Sequence, residues 1–184
     1  MASPVIDRPA ENEYAPHFHR YVSLVPEGDI LATLTRQNES TVALLRGLSE
    51  SQGGFRYAPG KWSIKELVAH LSDAERIFTD RALRFARADG TPLPGFEEND
   101  YIANGSFDDF SLKDLVTGFE DVRRSSLSLF RLMSNEASAR RGKANNAEIS
   151  VRALAHVIAG HEIHHLNILR TRYLEGIESV SRLS

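Results

Sequence analysis

His161 and His165 are four positions apart in a stretch of helix-forming residues. At about 100° per residue they stand about 40° apart and one turn apart, an arrangement in which two imidazoles can hold one metal ion. Both fall on the apolar stripe of Leu154, Ile158 and Ile168, so both are expected to point inward. The alternative is a pair of hydrogen-bonded core histidines. His70 lies beside Leu67, Leu71 and Ala74 on the core edge of an earlier helix, where it is either a third ligand or another core histidine. If the two helices are neighbours, the three imidazoles form a face that leaves positions open for water or substrate, as catalytic metal sites require.

Other residues carry weaker signals. His161-Glu162-Ile163-His164-His165 satisfies HExxH, in which the glutamate is the general base of a zinc peptidase. Ile168 and Thr171 occupy the places of the metzincin glycine and histidine, so the expectation for Glu162 is a solvated surface carboxylate, about 100° from His161. His164, about 60° away on the other side, and His156 and Gly160 are expected to serve packing or to support the ligands. His17 and His19 form an HxH pair expected on the surface. Asp73, three positions after His70, either receives an imidazole proton from that ligand or pairs with Arg76. Arg81, Arg84, Arg87, Lys113 and Arg123 suit either ordinary exposed faces, the favoured reading, or the mouth of a site for an anionic substrate. Trp62 is expected to act as a hydrophobic staple.

These side chains need elements to position them. Residues 1–27, with Pro4, Pro9, Pro16 and Pro26, are expected to form an extended arm lying on a bundle of residues 28–184. Asp29 caps a first helix carrying Ile30, Leu31, Leu34, Val42, Leu45 and Leu48, which ends near Gly47. Ser63 and Glu66 form a capping box for a second, with Ile64, Leu67, Leu71, Ala74, Phe78, Leu83 and Phe85 on its apolar side, closed by Gly90 and Thr91-Pro92-Leu93-Pro94-Gly95. A long irregular crossover runs over residues 89–110. Ser111 caps a third helix through Met133, and residues 134–149 read as a polar, basic link. Ser150 caps a fourth helix expected to stop at Gly176. No convincing strand alternation appears, so the fold class is all-α, a four-helix bundle.

Composition sets the limits. The chain has 184 residues, suited to one domain, and no cysteine, which excludes disulfides, thiolate metal sites, iron–sulfur clusters and cysteine nucleophiles. Its 22 basic and 25 acidic side chains give a net charge of −3, with no basic field for nucleic acid or an anionic membrane. No leader pattern or apolar run of about 18 to 20 residues stands out, so a cytoplasmic protein is expected.

The stretch Trp62-Ser63-Ile64-Lys65-Glu66-Leu67-Val68-Ala69-His70-Leu71-Ser72-Asp73-Ala74-Glu75, followed by Gly160-His161-Glu162-Ile163-His164-His165-Leu166-Asn167, closely resembles the DinB-like superfamily of metal-binding four-helix bundles. The resemblance covers about residues 28–175. It implies that His70, His161 and His165 bind a divalent ion, usually zinc or nickel, in a bundle of up-down-down-up connectivity whose crossover is the link between helices two and three. It also implies frequent homodimers and, in characterised relatives, thiol transfer with low-molecular-weight thiols such as bacillithiol or mycothiol. Asn167 stands where the family commonly shows glutamine or another polar residue, which leaves the implied metal binding intact and the substrate open. The resulting expectation is a metal-dependent enzyme that activates a thiol or water for S-transfer or hydrolysis of a small molecule. A non-catalytic, metal-stabilised bundle is the alternative, and a zinc peptidase a third.

Overall fold

The computed structural model describes residues 6–182. Four long helices dominate it: α1 (Ile30–Arg46), α2 (Ile64–Ala86), α3 (Leu112–Arg131) and α4 (Val151–Ile168). Each begins at the side-chain cap the sequence offers. Asp29 accepts from the Leu31 N–H at 2.8 Å, Ser111 from Asp114 at 3.0 Å and Ser150 from Ala153 at 3.0 Å. Ser63 accepts from Glu66 at 3.1 Å while the Glu66 carboxylate accepts from the Ser63 N–H at 2.7 Å, closing a reciprocal box.

Side-chain contacts fix the directions. Thr41 meets Glu162 and Gln37 meets Ala159, so α1 and α4 run parallel. Glu75 meets Arg123 and Thr79 meets Ser126, so α2 and α3 also run parallel. His70, early in α2, meets His165, late in α4, and the Ala86 carbonyl at the end of α2 accepts from Arg140 ahead of α4. Those two helices are antiparallel, and the connectivity is up-down-down-up. Two consecutive parallel helices need a connection as long as themselves, which is why the chain between α2 and α3 is long.

Three expectations are corrected. The N-terminal arm is not extended: it folds into short turns at Glu11–Glu13, Pro16–Phe18 and His19–Val22, with Pro16 starting the second of them. Proline forbids a long helix there but suits the first position of a short one. Its Ile6, Tyr14, Tyr21, Val22 and Val25 are buried in the core. The link over residues 134–149 holds a short helix (Asn135–Ala139) and an antiparallel hairpin of β1 (Arg141–Ala144) and β2 (Ala147–Ser150). Four-residue strands are too short to display a period of two. The turn is made by Asn145 and Asn146, both in the left-handed region at φ 49° and 62°, as a tight two-residue hairpin requires. The last helix does not stop at Gly176 but continues from α4 through a π-helical segment (Leu169–Leu174) into Glu175–Ser181. Glycine permits a helix end without compelling one, and here Gly176 lies against the Phe55 ring.

The crossover is also more ordered than its composition suggests, with a helix at Glu98–Gly105 and a turn at Phe107–Asp109. Before them Leu93 bonds to the hairpin, its N–H donating to the Lys143 carbonyl at 2.9 Å and its carbonyl accepting from Asn145 at 3.0 Å.

The apolar interior forms two clusters. One holds the arm, the hairpin and Ala74, Phe78, Phe130, Leu154 and Ile158; the other holds Val42, Leu67, Leu71, Phe119, Leu166 and Leu169. Every bundle helix passes from one to the other, and polar side chains occupy the gap.

Candidate metal centre

The histidines of α2 and α4 meet in that gap. The three Nε2 atoms of His70, His161 and His165 form a triangle with sides of 3.1, 3.2 and 3.1 Å. His70 and His161 are buried and His165 is partly so. Hydrogen bonds alone do not satisfy this cluster: a neutral imidazole carries one N–H, so three mutually facing nitrogens leave lone pairs against one another. A cation accepted by all three removes the conflict. The spacing fits as well, because three imidazole nitrogens sharing an ion at about 2.1 Å lie roughly 3.1 to 3.4 Å apart. The ligand-capable group contains these three residues and no fourth histidine or carboxylate among the described residues.

Burial keeps the three imidazoles neutral. It drives the His70 imidazole down to about 4, and burial with the neighbouring His70 and His164 drives His165 down to about 3. His161 is pushed well below its ordinary range by burial first and by the two partner imidazoles second.

Aromatic rings hold the imidazoles in place. Trp62, immediately before the α2 cap, lies against His70 with centroids 4.8 Å apart, and its carbonyl accepts from the Tyr173 hydroxyl at 2.9 Å. Phe78 stands edge-on to His161 at 6.0 Å and Tyr21 at 5.3 Å. Tyr21 reaches that position because Gly160 lets the arm approach: a β-carbon there would come within 2.0 Å of the Tyr21 carbonyl oxygen.

Behind His161 lies a network joining all four helices. Arg123 is fully buried and makes paired bonds of 2.8 Å to both oxygens of Glu75. It also donates to Glu162 at 2.7 Å and to the Leu34 carbonyl at 3.1 Å, and Thr41 donates to the second Glu162 oxygen. Burial alone would lower the Arg123 pKa, but the two carboxylates raise it above its ordinary value. This corrects the expectation that Glu162 is a solvated surface group and that Arg123 sits on an exposed face. The flank of α4 that carries Glu162 is covered by α1 and α3, so neither side chain reaches water. With both oxygens engaged, Glu162 is not placed to act as the general base of a peptidase.

The remaining candidates separate. Asp73 does not support His70: its carboxylate accepts from Arg76 at 3.0 Å, on the partly exposed side of α2. His156 is buried near the start of α4, away from the triad, and donates to the Arg152 carbonyl at 2.9 Å. His164 is half-buried between Tyr21 and His165. Arg84 pairs with Asp89, while Arg87 and Lys113 are exposed.

Two cavities reach the triad. One, of about 170 Å³, ends on His161 and is walled by Tyr21, Phe78, Arg81 and Phe96. The other, of about 220 Å³, ends on His165 and is walled by Tyr57, Trp62, Leu67 and Tyr173. The crossover helix separates them, with Glu98 on the first and Asn99 on the second. The sequence reading missed Phe78 and favoured an ordinary exposed face for Arg81. Their signal was present: His70, Ala74, Phe78 and Arg81 recur at 4, 4 and 3 positions, which returns Arg81 to within about 20° of the His70 face.

The model of the DinB superfamily matches residues 33–169. Among solved structures, the fold is similar to that of YfiT from Bacillus subtilis, at a TM-score of 0.64 and 13% identity over 94% of this chain and 93% of that one. YfiT is described as a probable metal-dependent hydrolase with an unusual four-helix bundle topology. No curated protein matches this chain in sequence.

Proposed function

The chain belongs to the DinB superfamily, and from that premise we propose that it is a metal-dependent enzyme whose divalent ion, zinc or nickel, is held by His70, His161 and His165. The observation that carries this reading is the triangle of three neutral imidazole nitrogens 3.1 to 3.2 Å apart, without a fourth histidine or carboxylate among the described residues to close it. A purely structural ion is expected to be closed by four protein ligands, whereas a catalytic one keeps a position for an exchangeable partner.

When bound, such an ion supplies the positive charge that turns a thiol or a water into a nucleophile at neutral pH. The chain does the rest. Tyr21, Phe78 and Trp62 pack around the imidazoles and limit water, and the Arg123 network fixes the α4 backbone that carries two of the ligands. Two cavities ending on different histidines suit a reaction between two molecules, so transfer from a low-molecular-weight thiol to an electrophile is the first reading. Hydrolysis is the second, favoured by the description of the similarly folded YfiT. The same reading makes the protein a cytoplasmic homodimer that handles small molecules and neither nucleic acid nor membrane. Among the described residues no helix is long and apolar enough to cross a membrane.

The test is turnover by the zinc- or nickel-loaded protein with several small thiols and electrophiles, and with ester or amide substrates in parallel. Metal-dependent turnover lost in His161→Ala is expected. No turnover in either series, together with a metal that does not exchange, would replace this reading with a structural bundle.

A further inference from the structure

The cavity that ends on His161 is lined by a buried cation with no ion-pair partner among the described residues. Arg81 is 6% exposed, and one of its N–H groups donates to the Pro94 carbonyl at 2.8 Å. Among the described residues no carboxylate lies in ion-pair contact with its guanidinium; Asp80, its exposed neighbour in the chain, acts only through space, and Arg81 lines the cavity. A buried guanidinium carries a large desolvation cost, and burial accordingly lowers its pKa. The other buried arginine, Arg123, has two carboxylates. Arg81 is left without one where a ligand can supply it.

The surroundings narrow the ligand. The Arg81 guanidinium carbon stands 5.9 Å from the centre of the Phe78 ring, and that centre stands 6.0 Å from the His161 ring, which bounds the distance from Arg81 to His161 at about 12 Å. The Phe78 ring lies between them, in a cavity whose wall mixes Phe96 and Ile149 with polar groups such as Asn145 and Glu148. Arg20, exposed and lying over the Tyr21 ring, adds a second positive group at the rim, while Glu98 and Glu148 add negative ones. One buried guanidinium with acidic groups nearby suits a single negative charge better than a doubly charged phosphate, and its planar fork matches a carboxylate. A cavity of about 170 Å³ has room for roughly six water molecules, hence a short chain or small ring.

We infer that Arg81 is the carboxylate-binding residue of a substrate pocket, holding a small monoanionic substrate by its carboxylate while an apolar spacer along Phe78 directs the reacting end to the histidine triad. This assignment rests on the proposed metal-dependent reading for the reacting end only; the carboxylate site stands on Arg81 itself.

Two measurements test it. Cobalt-substituted protein is titrated with ω-mercapto carboxylic acids of roughly three to six carbons and with the matching amides, following the thiolate-to-cobalt absorption. The acids are expected to bind at least about tenfold more tightly than the amides at the best chain length. That preference should fall to near unity in Arg81→Met and in Arg81→Gln, which keeps a donor for Pro94, with amide affinity unchanged. An acid preference that survives in both variants overturns the assignment. In the second measurement, 3-phenylpropionate is added to metal-free protein and binding is followed by NMR shifts of residues around Phe78. Saturable shifts in the wild type that vanish in Arg81→Gln support the site; identical shifts in both, or none in the wild type, overturn it. Because this second arm needs no metal, a protein that fails to bind cobalt refutes the metal reading without deciding the fate of Arg81.

Discussion

Arg123 donates to Glu162 at 2.7 Å in the middle of the bundle, one residue from a proposed metal ligand. The glutamate of an HExxH pattern is here a structural anion, and the arginine that holds it also grips Glu75 through both carboxylate oxygens. The pair therefore governs stability and the placement of α4 more than proton transfer.

Removing Arg123 leaves two buried carboxylates, Glu75 and Glu162, uncompensated, which costs about 3 to 5 kcal/mol. Arg123→Met is expected to lower the denaturation midpoint by that equivalent, Glu162→Ala by less because Glu75 still pairs with Arg123, and Glu162→Gln by least because an acceptor for Thr41 remains. A Glu162→Ala protein as stable as the wild type in a denaturant titration would refute the network's role.

His70→Ala, His161→Ala and His165→Ala should each reduce metal content from one equivalent to a small fraction, because two imidazoles remain where three converge. His164→Ala should retain the metal, since that ring stacks on Tyr21 and His165 outside the triangle. Elemental analysis of the purified variants decides it; full loading of His70→Ala would remove α2 from the site.

Proton competition has a defined sign. The folded imidazoles at about 4 for His70 and about 3 for His165 lie below the ordinary value of 6.5. The unfolded chain therefore takes up protons that the folded, metal-free chain refuses, and stability falls as pH drops from 6.5 toward 4, by up to about 1.4 kcal/mol per pH unit for each imidazole. Metal uptake by folded protein should be nearly flat above about pH 5. Uptake that collapses between pH 7 and 6 would contradict the neutral triad.

Gly160→Ala forces a β-carbon toward the Tyr21 carbonyl, where only 2.0 Å is free. The arm must shift or detach, uncovering Tyr21 and Val22. Faster proteolysis within residues 6–27 and a loss of about 2 to 4 kcal/mol are expected, as for other severe overpacking. Unchanged protection of the arm would show that the contact is dispensable.

Glu13 ties the same arm to α4 through Arg152. Burial alone would raise its carboxyl, but Arg152, the Ala10 N–H and Ser150 hold it at about 2, below the ordinary 4.5. Its contribution, about 2 to 3 kcal/mol, is complete above pH 4.5 and is lost as pH falls from there toward 2. Glu13→Gln should lower stability at pH 7 and flatten that acid limb; an unaltered acid limb would be the contrary result.

Local signals in the chain were enough for the helices. Asp29, Ser63, Ser111 and Ser150 mark the starts because a cap acts within three residues, and the i, i+4 spacing of His161 and His165 sets a shared face by helix geometry alone. The capping motif leading to His70 supplied the third candidate ligand by resemblance. What local periodicity could not carry was how many sides of a helix are covered. Glu162 and Arg123 look like surface charges when one face of each helix is assumed to meet water, but the bundle closes over both. The hairpin escaped notice because four-residue strands carry too few apolar positions, and the arm because its anchors, Tyr21 over Gly160 and Glu13 on Arg152, join residues more than a hundred positions apart. Arg81 shares the His70 stripe in the sequence, but only the packed crossover, with Pro94 and Phe96 brought beside it, makes that stripe the wall of a cavity. The sequence determined which residues could act together along a helix; the tertiary structure decided which of them were buried, paired or left facing a ligand, because burial depends on neighbours distant in the chain.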